Sequence, residues 1–110
     1  MAIYVPMTDL TSSATLDTST GGYFVDASAG NVTLTLLDLN SAWNGTYWII
    51  KRVDTASNTV TISAPSGTSI DGSSSLTLLV NNSSVPNNSS VVLMIHNDGT
   101  TCNYRRIFGY

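Results

Sequence analysis

His96 and Asp98 are the pair on which acid–base chemistry would turn. His96 is the only histidine, and Asp98 follows two residues later. A Ser-His-Asp hydrolase needs a base positioned beside its nucleophile. Here Asp98 lies across the start of an Asn97-Asp98-Gly99-Thr100 turn. The chain holds so many serines that one near His96 is expected by chance, and no Gly-x-Ser-x-Gly elbow occurs. Glycosidase chemistry needs two facing carboxylates, and the acids fall mostly at turns. Asp71-Gly72-Ser73 and Asp98-Gly99-Thr100 are turn chemistry before they are calcium ligands. No clustered ligand set and no phosphate-cradling glycine motif is visible. The expectation is no enzyme, no cofactor and no metal site, with His96 ending a strand and bonding to a loop. Sugar binding would need exposed aromatics. Tyr4, Trp43, Trp48, Tyr104 and Tyr110 are the candidates, and a core has a claim on most of them.

The elements that must position these residues are strands. Tyr47–Val53 is an apolar run, Asp54–Asn58 a polar turn, and Thr59–Ser63 a strict alternation with Val60 and Ile62 on one face. Period two with β-branched residues marks a half-buried strand. Two such runs around a five-residue loop predict an antiparallel hairpin. Ile70 then plugs the core, a turn follows, and Leu76–Leu78 alternates again. Upstream, Tyr23–Val25 and Val32–Leu36 flank a turn at Ala29-Gly30-Asn31, and Gly21-Gly22 reads as a hinge or turn. Leu37–Gly45 is a connection with room for one 3₁₀ turn. Its Trp43 is either a core lid or an exposed interface anchor. Asn81–Ser90 is polar, low-complexity and expected to be a long exposed loop. Val91–His96 is apolar on both faces, the mark of a central strand covered on each side. Cys102–Tyr110 is the last strand, with Tyr104, Arg106 and Phe108 sharing a face.

No window carries a sustained helical period. About eight short strands with turns between them indicate an all-β single domain, an antiparallel β-sandwich or a jelly-roll or barrel-like relative. Ile49, Val60, Ile62, Leu78, Leu93 and Ile95 are the expected core.

Composition narrows the function classes. The 110 residues suit one domain with one core. Charged residues make up only 10% of the chain, against about 25% in a typical soluble domain. All seven acids are Asp, which favours turns, so Ser, Thr and Asn must form the polar surface. A net charge of −3 opposes nucleic-acid binding, which needs clustered Lys and Arg. Lys51-Arg52 and Arg105-Arg106 are too small a footprint, and strand alternation should split each pair between two faces. The single cysteine, Cys102, cannot form an intrachain disulfide, which fits a reducing cytoplasm. No run approaches the roughly 20 apolar residues of a membrane helix, and the start lacks the features of a signal peptide. Asn-x-Ser/Thr sequons such as Asn31-Val32-Thr33 then read as chance matches.

The order Ile50–Asp54 (IKRVD), Asn58–Ile62 (NTVTI), Ser66–Gly72 (SGTSIDG), Ser74–Leu78 (SSLTL) and Asn97–Thr100 (NDGT) resembles a small β-domain of tailed-bacteriophage virion proteins. Gly22–Leu36 fits the opening strands of the same pattern, so the likeness runs from about Gly21 to Arg106. Such domains occur in capsid decoration, or cement, proteins and at the ends of tail and head fibres. The resemblance implies a structural virion protein. The first expectation is a decoration protein that binds and stabilises the outside of an assembled phage shell, of a size that suits an accessory protein because only about 20 residues precede the match. The implied partners are a major capsid protein and further copies of the chain, as a homotrimer, with no nucleic acid and no membrane. The implied location is the capsid exterior, after synthesis in the host cytoplasm. The alternative is a fibre tip that binds a host-surface glycan or receptor.

The division expected is an amino-terminal arm over residues 1–20 and a β-domain over 21–110. Residues 1–8 carry no charged side chain, whereas an exposed edge strand is normally blunted by charge. The segment is therefore a first strand of the domain's own sheet or an arm docked on a neighbour. Ile3, Tyr4, Val5, Met7, Trp43 and Tyr110 are the candidate interface residues.

Overall fold

A computed structural model of the chain describes residues 4–38, 44–80 and 89–109. Nine strands form: β1 (Met7–Leu10), β2 (Ala14–Thr15), β3 (Gly22–Val25), β4 (Val32–Thr35), β5 (Tyr47–Arg52), β6 (Val60–Ser63), β7 (Ser75–Leu78), β8 (Ser90–Asn97) and β9 (Cys102–Gly109). They make a five-stranded sheet, in the order β1-β3-β5-β8-β9, and a four-stranded sheet, in the order β2-β4-β6-β7. No α-helix occurs among the described residues. The protein is an all-β sandwich.

Alternation sets the layers. Val32 and Leu34 of β4, Val60 and Ile62 of β6, and Leu76 and Leu78 of β7 are buried. Tyr23 and Val25, Trp48 and Ile50, and Val91, Leu93 and Ile95 meet them from the five-stranded sheet. Each strand is apolar on one face, so face-to-face stacking buries both sets. The expected core residues Val60, Ile62, Leu78, Leu93 and Ile95 are all there. Ile49 is not: it has the other parity and is only half-buried, on the outside of the five-stranded sheet.

The expected hairpin of Tyr47–Val53 with Thr59–Ser63 does not form. β5 and β6 lie in opposite sheets. The first six strands alternate between sheets, so sheet neighbours run parallel: β1 with β3, β3 with β5, β2 with β4 and β4 with β6. Antiparallel pairing is confined to β5–β8, β6–β7 and β8–β9. The reason is burial. A hairpin would place β5 and β6 side by side and leave their apolar faces looking the same way.

Three local expectations change with the fold. Gly22 is no hinge but the first residue of β3, where its missing side chain lets β5 approach. A Cβ there would stand 2.0 Å from the Ile49 carbonyl oxygen. Ser89 and Ser90 are not part of an exposed loop: Ser89 is buried and Ser90 opens β8. Residues 81–88 lie outside the described residues, as do residues 39–43 of the expected 3₁₀ turn. A bulge between Val92 and Leu93 shifts the register of β9, so Leu93 pairs with Arg106 and Val92 with Phe108. Of the expected Tyr104, Arg106 and Phe108 face, the Phe108 side chain lies outside the described ones.

Of the stretch read as an arm, residues 7–10 are β1 and residues 14–15 are β2, one in each sheet. Leu16 is fully buried. The Pro6 carbonyl accepts from the Gly21 N–H and the Thr20 hydroxyl, which roots the segment against β3.

Candidate interaction surface

The residues nominated for chemistry each hydrogen-bond within the fold. His96 is exposed near the end of β8, where its Nδ1 accepts from Arg105 Nε at 3.1 Å. Asp98 Oδ1 accepts from the N–H groups of Thr100 (2.9 Å) and Thr101 (2.8 Å), closing the β8–β9 turn. Those backbone donors, Thr101 first, hold its carboxyl below the usual range. Among the described residues no three His, Cys, Asp or Glu side chains cluster as metal ligands. Trp48 and Tyr104 belong to the core, with ring centroids 6.2 Å apart. Their polar tips are satisfied: the indole N–H donates to the Asp17 carbonyl and the phenol to the Leu37 carbonyl. Burial pushes the Tyr104 phenol well above its ordinary value.

Asp71 follows the same logic at an edge. Ile70 and Ser73 exchange both backbone hydrogen bonds around Asp71 and Gly72, which have φ of 48° and 90°. This is a type I′ turn, for which Asp-Gly is well suited. The turn lies beside β9, where Tyr104 N–H donates to the Ser69 carbonyl and Asp71 N–H to the Tyr104 carbonyl. At the tip, Asp71 accepts from the Arg106 backbone N–H and pairs with both guanidiniums, Arg105 at 3.5 Å and Arg106 at 3.4 Å. Arg105 and Arg106 were expected to be split between faces; an acid placed at the strand's edge is reached from both. Partial burial raises the Asp71 pKa, but the Arg106 N–H and the two guanidiniums outweigh it and the net shift is downward.

What the fold leaves for binding is two unlike outer faces. On the four-stranded sheet, Thr33, Thr61 and Thr77 stand in one cross-strand row, and Thr15, Thr35, Ser63 and Ser75 in the next. This face is hydroxyl throughout. On the five-stranded sheet, one registered row runs Met7, Gly22, Ile49, Val92 across four strands to position 108 in β9. Tyr47, Ile49, Val92, Met94 and Ile107 line an open apolar groove of about 360 Å³ on this face. Phe24, Tyr47 and Ile107 are all exposed by two-fifths or more. Lys51 and Asp9 have the same outward parity, next to Phe24.

The sequence-nominated interface is partly reassembled here. Met7 lies on this apolar face, its Sδ over Gly22. Val5 is half-buried against Gly21, and Tyr4 is 87% exposed. Ile3, Trp43 and Tyr110 lie outside the described residues. Tyr47, Ile49, Val92, Met94 and Ile107 were not foreseen as interface. The signal was present in Val91–His96, which is apolar on both faces. That pattern predicts cover on each side, whereas among the described residues Val92 and Met94 on the outer side are only half-buried.

A second unforeseen feature is Arg52, whose side chain is 2% exposed beside Asp54 at 6%. Its guanidinium donates to both Asp54 oxygens, and to the carbonyls of Ala56, Asn58 and Leu78. Asp54 also accepts from the N–H groups of Ala27 and Ala56. Burial opposes the charge on Asp54, but these partners hold its pKa down at about 2. The pair ties the β5–β6 crossing to both sheets, which is a structural role.

No protein-family model matches the chain, and no curated protein matches it either.

Proposed function

We propose that this chain is a structural binding protein of a bacteriophage virion, a decoration protein that sits on the outside of an assembled shell as a homotrimer. The observation that carries the assembly reading is the apolar outer face of the five-stranded sheet. The sandwich core is complete without it, yet Met7, Phe24, Tyr47, Ile49, Val92, Met94 and Ile107 gather on it. Exposed apolar surface of this kind marks an interaction site. The scarcity of charge supports permanent packing, because covering short hydroxyls and amides costs little side-chain entropy and little desolvation. The resemblance of Ile50–Asp54, Asn58–Ile62 and Ser66–Leu78 to phage virion β-domains supports the virion setting.

Copies of the chain occupy the apolar face in this reading, and the shell takes another surface. Analytical ultracentrifugation of the wild type and of Met94→Asp is the first test. The expected result is a trimer for the wild type and a folded monomer for the variant. A monomeric wild type at high concentration overturns the self-assembly. Co-sedimentation with intact phage capsids is the second, separate test. Failure to pellet with any shell, with the trimer intact, overturns the decoration role alone.

A further inference from the structure

Among the asparagines of the chain only Asn44 is followed by glycine. Asn44 and Gly45 lead into β5, and both are exposed. Such a pair is chemically labile, because the nitrogen of the following residue can attack the side-chain amide and glycine has no Cβ to obstruct it. The Gly45 nitrogen gives its proton to hydroxide and bonds to Asn44 Cγ. The bond from Cγ to the amide nitrogen breaks, and ammonia leaves. Water then opens the cyclic imide at either carbonyl, which leaves aspartate or isoaspartate at position 44.

The fold ties down both reacting groups. The attacking nitrogen is engaged: Gly45 N–H donates to the Ile95 carbonyl at 2.8 Å. The group under attack is engaged as well: Asn44 Oδ1 accepts from the Asn97 N–H at 2.8 Å. Between them, Ile95 N–H donates to the Thr46 carbonyl at 2.8 Å. All these partners belong to the last residues of β8. The hold is not steric, since a Cβ placed on Gly45 would meet nothing within 4 Å. It consists of hydrogen bonds, and it lasts only while residues 44–46 stay joined to residues 95–97.

We propose that Asn44 is a latent deamidation site, kept unreactive by the end of β8 and released when that end opens. Only the open form reacts, so the rate follows the fraction of time spent open. The two products differ in what they do to the fold. Aspartate keeps an oxygen that can accept from the Asn97 N–H. Isoaspartate adds a methylene to the main chain, so the bonds at Ile95 and Asn97 cannot both be kept, and the adjoining Tyr47–Met94 pair loses its register. The site does not rest on the virion reading.

The test incubates the full chain at mildly alkaline pH, folded and in denaturing guanidinium chloride. Peptide mapping, with fragmentation that separates isoaspartate from aspartate, follows each asparagine. In denaturant Asn44 should convert before any other asparagine. In the folded chain it should convert at least about tenfold more slowly. Earlier conversion of another asparagine in denaturant would overturn the site, and equal rates in the two states would overturn the protection. Amide hydrogen exchange at Gly45 and Asn97 reports the opening directly. Ile95→Ala keeps the accepting carbonyl but loosens β8, and should speed exchange and deamidation together. Ile95→Val is the milder substitute if that variant does not fold. Faster exchange with an unchanged deamidation rate would overturn the gating by β8. The purified isoaspartate form should unfold at lower denaturant than Asn44→Asp, and equal midpoints would overturn the loss of register.

Discussion

Arg52 lies on β5 with the parity of Trp48 and Ile50, so it points into the sandwich. Burying a guanidinium is unfavourable unless every donor finds a partner. Here Asp54 and three carbonyls supply them. Arg52→Ala leaves Asp54 and those carbonyls without their donor, and should lower stability by about 3–5 kcal/mol in urea unfolding. The pair also predicts an acid dependence. Asp54 titrates at about 2 in the fold, below its ordinary 3.8. Its charged form therefore favours the folded state. The contribution is complete above about pH 4 and is lost as pH falls through 2, on the order of 2 kcal/mol. The urea midpoint of the wild type should fall more steeply over that window than that of Asp54→Asn. Parallel curves would show that Asp54 is not the source. Gly22 gives a second residue-scale test. A methyl there meets the Ile49 carbonyl oxygen at 2.0 Å and Met7 Sδ at 2.9 Å. Gly22→Ala should destabilise by about 1–3 kcal/mol through overpacking. Gly30→Ala meets nothing within 4 Å and should be neutral or slightly stabilising.

At the scale of elements, β8 is the strand that separates the two roles of the five-stranded sheet. Val91, Leu93 and Ile95 face the core, and Val92 and Met94 face out. Leu93→Ala should cost roughly 2–5 kcal/mol, since the side chain is fully buried. Ile49→Ala, on the half-buried outer face of β5, should cost only about 1 kcal/mol in the isolated protein. If the outer face is a subunit interface, the same substitution should weaken assembly more than folding. Chemical denaturation at low concentration and sedimentation at high concentration separate the two effects. Equal losses in both would place Ile49 in the folding core.

For the whole molecule, the described residues of the sandwich present an apolar face and a hydroxyl face. Neither uses His96 or Cys102. His96 is exposed, and its described contact is with Arg105; Cys102 is half-buried at the start of β9. His96→Ala and Cys102→Ser should therefore leave the wild-type sedimentation profile, and the proposed shell binding, unchanged. Loss of a measured activity in His96→Ala, with the fold intact, would instead reveal chemistry at the β8–β9 end.

Periodicity is a local property, and local properties were legible. Alternation in Val32–Thr35, Val60–Ser63 and Leu76–Leu78 marked strands and their buried faces, and Asp-Gly and Asn-Gly pairs marked turns. Turn residues and the lack of Glu pointed away from helix for the same reason. Which strands pair is not local. The run from Tyr47 to Ser63 reads as a hairpin because its neighbours in sequence are the simplest partners. Only tertiary packing sends β5 and β6 to opposite sheets, since each has one apolar face and the two faces bury best against each other. That choice also decides the site. It turns Ile49 from core to surface, sets it beside Val92 in one row, brings Arg52 inside with Asp54, and leaves β7 at an edge. Each depends on contacts between residues far apart in the chain, where side-chain alternation gives parity but no partner.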